Sequence, residues 1–349
     1  MDNFRAPAVS AIVPARNEAL NIECSVRSLA AQADIKEIIV VDDSSEDGTD
    51  VVLEHLKVPA LHVIRHDFLP DGWMGKTYAA AEGAARARSE WLLFTDADTE
   101  HLPGSLSTLL ARAIEEKVDL LSISPGQRVP TWWEKAVIPL IYTQLARAYP
   151  FDEVSDPAFS AAAANGQYIL IRRLAYEQVG GHRAVRNEVL EDVALARRVK
   201  ASGGKILFLP GAAWAATRMY CAFPEMWQGW TKNLFLLYGG TVKIMRAAAG
   251  LAAEWLAGVL LIVFALAAAG GPRVTVIDGA VGLLLAVVIW RFSVYRANLH
   301  ASGFSAGLFK YFWLGAPILV LLLFNSLRAY RLGGAVQWKG RTYSVREVL

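Results

Sequence analysis

The sequence predicts an α/β protein with a mostly parallel sheet covered by helices on both faces, followed by a helical membrane region. Three observations predict it. Short apolar runs alternate with helix-patterned segments through the N-terminal half, with connections of a few residues. Two acidic clusters, Asp42-Asp43 and Asp96-Ala97-Asp98, stand at the ends of two of those runs. Beyond about residue 250 the composition turns almost wholly apolar. Open sheets of this kind bind ligands beyond the carboxyl ends of their strands, so the acids fall where chemistry is expected.

Taken in order, Ala8–Val13 reads as a first strand, broken by Pro14. After Asn17-Glu18, the residues Leu20, Ile22, Val26 and Leu29 are spaced for one face of a helix. Glu37–Val41 is a second strand running into Asp42-Asp43-Ser44-Ser45. A helix from Asp47 to Leu56 and a strand Leu61–Arg65 follow. The alanine-rich stretch Lys76–Arg88 is helical by propensity. Trp91–Phe94 is a buried strand, and a helix Pro103–Glu116 and a strand Asp119–Ile123 come next. Asn165-Gly166-Gln167-Tyr168 leads into a strand Ile169–Ile171, and Val193–Lys200 is helix-like behind Glu191-Asp192.

A chain of 349 residues is long enough for two units. The expected division is a catalytic domain over 1–245, with interfacial helices at about 131–149 and 224–240. A transmembrane region over 246–330 and a basic tail over 331–349 complete it. Lys+Arg 35 against Asp+Glu 33 gives a net charge of +2, too balanced for a nucleic-acid partner. Met1-Asp2-Asn3-Phe4-Arg5 shows no apolar leader, so the catalytic domain is expected in the cytosol of a multi-pass protein of the cell (inner) membrane. Cys24 and Cys221, far apart, read as reduced thiols. Three apolar runs stand at 255–271, at 274–290 with Asp278 near its start, and at 311–327, interrupted by Pro317. If all three cross, Arg328, Arg331, Lys339, Arg341 and Arg346 end up on the far side, against the positive-inside tendency. The Pro317 segment is therefore expected to be re-entrant or interfacial.

Residues two apart on an extended chain point the same way, so Asp96 and Asp98 can converge on one Mg²⁺ or Mn²⁺. The same pair would equally serve an Asx turn. Asp42 and Asp43 either cap the following helix or accept from a ribose hydroxyl or a pyrimidine imide N–H. No Gly-x-Gly-x-x-Gly follows the first strand, so a mononucleotide site fits better than a dinucleotide one. Gly75-Lys76-Thr77 resembles the end of a P-loop only superficially: Pro70 stands where the first glycine belongs and supplies no amide. Lys76 is either solvated or a point-charge contact to a diphosphate. Thr131–Tyr149 reads as an interfacial helix or as a buried helix over an acceptor cleft. Glu191-Asp192 is either an acidic first turn favoured by the helix dipole or the seat of a catalytic base. Trp227, Trp230 and Leu234 share one helical face, a pattern of packing.

Val13-Pro14-Ala15-Arg16-Asn17-Glu18, Val41-Asp42-Asp43-Ser44-Ser45-Glu46-Asp47-Gly48-Thr49, Thr95-Asp96-Ala97-Asp98 and Leu190-Glu191-Asp192 together resemble a membrane-anchored family 2 glycosyltransferase of GT-A fold. The resemblance covers roughly residues 8–240. Gly72–Thr77 and Gly229–Asn233 resemble its hopene-associated and carotenoid (diaponeurosporenoate-type) branch. Gln228-Gly229-Trp230-Thr231-Lys232 departs from the Gln/Arg-x-x-Arg-Trp of processive members, which speaks against a polysaccharide synthase. The resemblance implies a UDP-sugar donor, Mg²⁺ or Mn²⁺, and a membrane lipid acceptor such as an isoprenoid, hopanoid or carotenoid. It makes Asp98, with Asp96, the metal ligand and Asp192, beside Glu191, the base. Pro14, Asn17, Glu18, Asp42, Asp43, Lys76, Asp96, Trp230 and Lys232 would line the donor site. At the start of a helix the Asp192 carboxyl is expected to be lowered. A non-catalytic nucleotide-sugar-binding membrane scaffold is the alternative.

Overall fold

The apolar runs form strands because both of their faces are covered. A computed structural model describes residues 8–268 and 275–344. Met1 to Arg5, the run ends within 269–274 and Arg346 lie outside the described residues. In chain order the elements begin β1 (Val9–Ala15), α1 (Ile22–Ala30), β2 (Ile35–Asp43), α2 (Thr49–His55), β3 (Leu61–His66), α3 (Gly75–Arg86) and β4 (Trp91–Phe94). Then come β5 (Thr99–His101), α4 (Ser105–Glu115), β6 (Leu120–Gln127), α5 (Trp132–Ala148), α6 (Phe151–Ser155), β7 (Ile169–Arg172), α7 (Arg173–Gln178), α8 (Glu191–Ala201) and β8 (Ile206–Thr217). The chain ends with α9 (Phe223–Tyr238), α10 (Thr241–Ala268), α11 (Thr275–Ala301), α12 (Phe312–Arg328), β9 (Ala335–Trp338) and β10 (Arg341–Ser344).

These elements form two units that are discontinuous in sequence, unlike the contiguous boundaries expected. The first holds the chain up to Arg128, Tyr149–Cys221, and the tail from Gln337. The second holds Val129–Ala148 and Ala222–Val336.

In the first unit the strand order is β3-β2-β1-β4-β7-β6-β8-β5. β1, β2, β3 and β4 run parallel, as do β6 and β8, whereas β7 is antiparallel to both neighbours and β5 to β8. Alternation along the strands divides the core. Val9, Ala11, Val13, Val40 and Leu93 meet Ile22, Val26 and Leu29 of α1 and Leu106, Leu109 and Leu110 of α4. Ile12, Val41, Leu92 and Phe94 face the other way, onto Ala79, Ala80 and Ala84 of α3 and Leu195, Ala196 and Val199 of α8. Leu20 is the exception to the expected helical face: it precedes α1 and is 86% exposed. β5 and β8 were not legible, β5 being three residues long and β8 interrupted by a register shift opposite Pro125/Gly126. Leu109 has no exposed surface, so Leu109→Ala should cost ~2–5 kcal/mol of stability. A lowered thermal midpoint with unchanged nucleotide affinity well below it would check this.

The second unit is helical. Pro317 does not interrupt α12. A proline at 317 leaves the Trp313 carbonyl without its helical donor, and the Trp255 indole of α10 supplies one at 3.0 Å. α9 and α12 are latched by a similar substitution. Ser326 donates to the Thr231 carbonyl at 2.7 Å and accepts from the Phe235 amide at 2.9 Å, inserting its hydroxyl into the α9 ladder. Glu254 of α10 pairs with Arg291 of α11, so neither charge stands alone among apolar neighbours. By length and composition, Thr241–Val263 and Ala306–Gly333 are each long and apolar enough to cross a membrane.

Candidate active site

The site forms where the strand order turns around β1, at the carboxyl ends of β1, β2 and β4, the place where open α/β sheets hold ligands. Beyond β1 the chain turns sharply at Asn17, whose φ is +54°. The turn is held from the β2–α2 loop. The Asn17 amide donates to Ser45 Oγ at 2.9 Å, the Glu46 amide donates to Asn17 Oδ1 at 2.9 Å, and the Glu18 amide donates to Thr49 Oγ1 at 2.8 Å. Asn17 is thus a brace between two loops. Pro14 lies in the last part of β1, in register with Val41, and β1 runs on to Ala15 opposite Asp42.

Asp42 and Asp43 close β2 and do different work. Asp42 is buried and accepts the Ser45 amide at 3.2 Å, the turn-capping role. Asp43 points into the site, where Arg341 grips both of its oxygens and His66 Nδ1 lies 3.5 Å away. Arg16 donates to the Asp43 and Ser44 carbonyls at 2.6 and 3.0 Å and so fixes the loop that carries them.

Beyond β4, Thr95 donates to the Gln167 carbonyl at 2.8 Å, tying the acidic loop to the segment before β7. Asp96 and Asp98 both keep an accessible edge. Burial first, then the Asp96 and Glu18 carboxylates, push the Asp98 carboxyl well above the usual range, against the pull of Lys339 and Lys76. A pair of oxygen donors whose negative charge is penalised in this way fits a hard divalent cation. Among the described residues no three His, Cys, Asp or Glu side chains gather into a metal cage. Two carboxylates suffice for Mg²⁺ or Mn²⁺ when substrate phosphates and water complete the shell.

Lys76, in the first turn of α3, lies between the two sets of acids. Its Nζ is 2.7 Å from Asp96 Oδ1 and 2.9 Å from Glu191 Oε1. Burial alone would lower this ammonium, but Asp96, Glu191 and Asp192 outweigh it and hold it well above its ordinary value. Glu191 is buried in that ion pair, whereas Asp192 is partly accessible. Asp192 accepts the Gly166 amide at 2.9 Å and the Val193 amide at 2.7 Å. The expected lowering of its carboxyl is reversed. Burial and then Glu191 raise it, exceeding the opposing effects of Lys76 and the two amides. The helix dipole is outweighed because the carboxylate has left bulk water beside a like charge.

The first unit thus brings Asn17, Glu18, Asp43, Lys76, Asp96, Asp98, Glu191 and Asp192 into one cluster of loops. Trp230 and Lys232 belong instead to α9 of the helical unit, where buried Trp230 meets Tyr142 edge-on at 6.2 Å. The Lys232 carbonyl accepts from Tyr330 Oη at 2.6 Å. Reading by sequence missed Arg16, His66, Gly166, Lys339 and Arg341. The one local signal for the last two was Lys339-Gly340 between Ala335–Trp338 and Arg341–Ser344, a two-residue hairpin turn.

Comparison with known proteins agrees with this geometry. Residues 10–180 match the family model described as Glycosyl transferase family 2. The chain is 26% identical over 349 residues to 4,4'-diaponeurosporenoate glycosyltransferase of Staphylococcus aureus strain USA300, covering 98% of this chain and 90% of that protein. The same enzyme from strain NCTC 8325 / PS 47 matches equally. Among solved structures, the mannosyltransferase from Pyrobaculum calidifontis in complex with GDP-Man and Mn²⁺ superposes with a TM-score of 0.51 at 19% identity, over 90% of this chain and 87% of that one. The curled, mostly parallel sheet with its acids at the strand ends is a GT-A fold, residues 10–180 within it match a glycosyl transferase family 2 domain, and the protein is a glycosyltransferase.

Proposed function

We propose that the protein transfers a sugar, with inversion, from a nucleotide diphosphate sugar, a UDP-sugar, to a membrane lipid acceptor. The observation that carries this reading is the convergence of Asp96, Asp98, Glu191 and Asp192 around Lys76, with Asp43 beside the adjoining Gly75, in one cluster at the strand ends. A divalent cation, held by Asp98 with Asp96, would neutralise charge on the departing diphosphate as a Lewis acid. Asp43 holds the nucleoside: a carboxylate has about four lone-pair sites, so it can serve Arg341 and still accept a pyrimidine N–H. Lys76 adds a fixed positive charge between the donor phosphates and the base. Asp192, its two oxygens oriented by the Gly166 and Val193 amides, takes the proton of an acceptor hydroxyl as that oxygen attacks the anomeric carbon. Attack from the face opposite the diphosphate inverts the centre. An acceptor that is already an ionised carboxylate needs no such proton transfer.

The membrane acceptor is supported by the helical unit, which leaves Leu256, Leu260, Ile262, Val263, Trp290 and Leu321 exposed. The tail from Gln337 belongs to the sheet unit, which supports an even number of complete crossings between Cys221 and Gln337. This agrees with one of the three apolar runs failing to span. The relatives' printed acceptor, a carotenoid acid, supports the same lipid class.

The test is incubation of membranes containing the protein with labelled UDP-sugars, with UDP release and labelled lipid measured together. UDP release without lipid labelling would remove the lipid acceptor, and neither with any nucleotide sugar would leave only the scaffold. Asp43→Ala should weaken UDP binding about tenfold by calorimetry, the worth of one charge-assisted hydrogen bond, with secondary structure intact. Unchanged affinity would reduce Asp43 to an anchor for Arg341.

A further inference from the structure

We propose, resting on the glycosyltransferase reading above, that the β9–β10 hairpin is part of the donor site. Lys339 at its tip contacts the diphosphate of the nucleotide sugar, and Arg341, gripped by Asp43, is the positioning residue that seats it.

The hairpin is built to present its tip. Ala335–Trp338 and Arg341–Ser344 pair through the two-residue loop Lys339-Gly340, with φ of +44° and +78°. Positive φ at both positions is the turn whose twist matches paired strands. Glycine adopts it freely, whereas a lysine there is held against its own preference.

The holding contacts come from residues some 300 positions earlier in the chain. Arg341 Nη2 donates to Asp43 Oδ1 at 2.8 Å, and Nη1 reaches Oδ2. Arg16 Nε donates to the Lys339 carbonyl at 3.0 Å, and Lys339 Nζ donates to the Arg16 carbonyl at 2.8 Å and pairs with Glu18. Trp338 meets Tyr220 edge-on at 6.0 Å. A Cβ at position 75 would collide with the Arg341 guanidinium and the Asp43 carboxylate, so Gly75 is what admits the arginine.

The charge at the tip adds to the one that Lys76 supplies. Glu18, Asp43, Asp96, Asp98, Glu191 and Asp192 are all acids, yet the ligand is a polyanion. Lys76 is committed to Asp96 and Glu191, and Arg16 to backbone carbonyls. Lys339 pairs with Glu18, an acid that acts on Asp98 as Lys339 itself does, so the tip of the hairpin stands on the Asp98 side of the site. Among the described residues, two of its three N–H groups have partners, leaving one for a phosphate oxygen. With Arg341 over it, Asp43 is only 3% exposed, so the hairpin lifts to admit a nucleoside, which shares the Asp43 carboxylate with Arg341 once the hairpin reseats and brings Lys339 onto the phosphates.

The experiment is calorimetry of the full chain in detergent with Mn²⁺, titrating UDP and UMP separately. Lys339→Gln should weaken UDP at least tenfold and UMP less than threefold, because UMP lacks the second phosphate. Lys339→Arg should recover most of the UDP affinity, which a merely structural residue would not show. Arg341→Ala should weaken UDP more than UMP, the same pattern as Lys339→Gln, by lowering the seated fraction of the hairpin. Unchanged UDP affinity in Lys339→Gln overturns the proposal, and tighter binding in either variant overturns it in favour of a plug that only blocks the site. A parent chain that binds neither nucleotide overturns the glycosyltransferase reading and this one together, whereas binding that ignores the hairpin variants overturns this one alone.

Discussion

Asp192→Asn is expected to keep nucleotide-sugar and metal binding and to lose about 10² or more in kcat for transfer to a hydroxyl acceptor. The amide keeps the shape of the carboxylate and still accepts one backbone N–H, so the loop around Gly166 holds. What it loses is the capacity to take a proton. Glu191 cannot substitute, since its carboxylate is buried in the ion pair with Lys76. Glu191→Gln is expected to act differently, loosening Lys76 and removing the neighbouring charge that raises Asp192. The pH dependence follows with a definite sign. A base works when deprotonated, and Asp192 titrates above the ordinary carboxylate value of about 3.9. Transfer therefore fails as pH falls through that raised value, giving an acid limb displaced upward from where a solvated aspartate would put it. Glu191→Gln should move the limb back down. A kcat–pH profile of parent and both variants checks all three expectations, and near-parent transfer by Asp192→Asn with loss in Glu191→Gln would exchange their roles.

Asp98→Ala is expected to abolish the Mn²⁺ dependence of UDP-sugar binding and to lower turnover by about 10³ or more, the scale of several kcal/mol of charge stabilisation. The reasoning is electrostatic. Asp98 is held among acids in a partly desolvated loop, a position that costs free energy unless a cation shares it. Removing it relieves that repulsion, so the variant is expected to be no less stable than the parent while losing activity. That split separates a ligand from a structural turn residue, whose loss would lower the thermal midpoint instead. Equal UDP-sugar affinity with and without metal in the parent would remove the metal from the mechanism. Asp96→Ala should be milder in metal affinity but should also release Lys76, its partner at 2.7 Å.

The sequence alone determined the alternating sheet core, the acids at the ends of β2 and β4, and the acid pair opening α8. Each of these is written locally. A parallel strand buried on both faces is a run of apolar residues. A carboxylate two residues from another on an extended chain shares its side. A carboxylate at a helix start is read from the boundary itself.

Only the tertiary structure decided the rest, because the deciding partners are remote in sequence. That the Asp192 carboxyl rises depends on burial against the Gly166 loop, some 26 residues earlier, beside the Glu191 charge. That Asp42 caps a turn while Asp43 faces the site depends on which way β2 presents its last two residues. Continuity of α12 through Pro317 is helped by the Trp255 indole, which supplies the donor that proline lacks to a carbonyl 58 residues away. The tail read as a run of positive charges against the membrane rule. Its Lys339 and Arg341 instead find Glu18 and Asp43 across some 300 residues, since acids crowded at strand ends attract more cations than neighbouring residues supply.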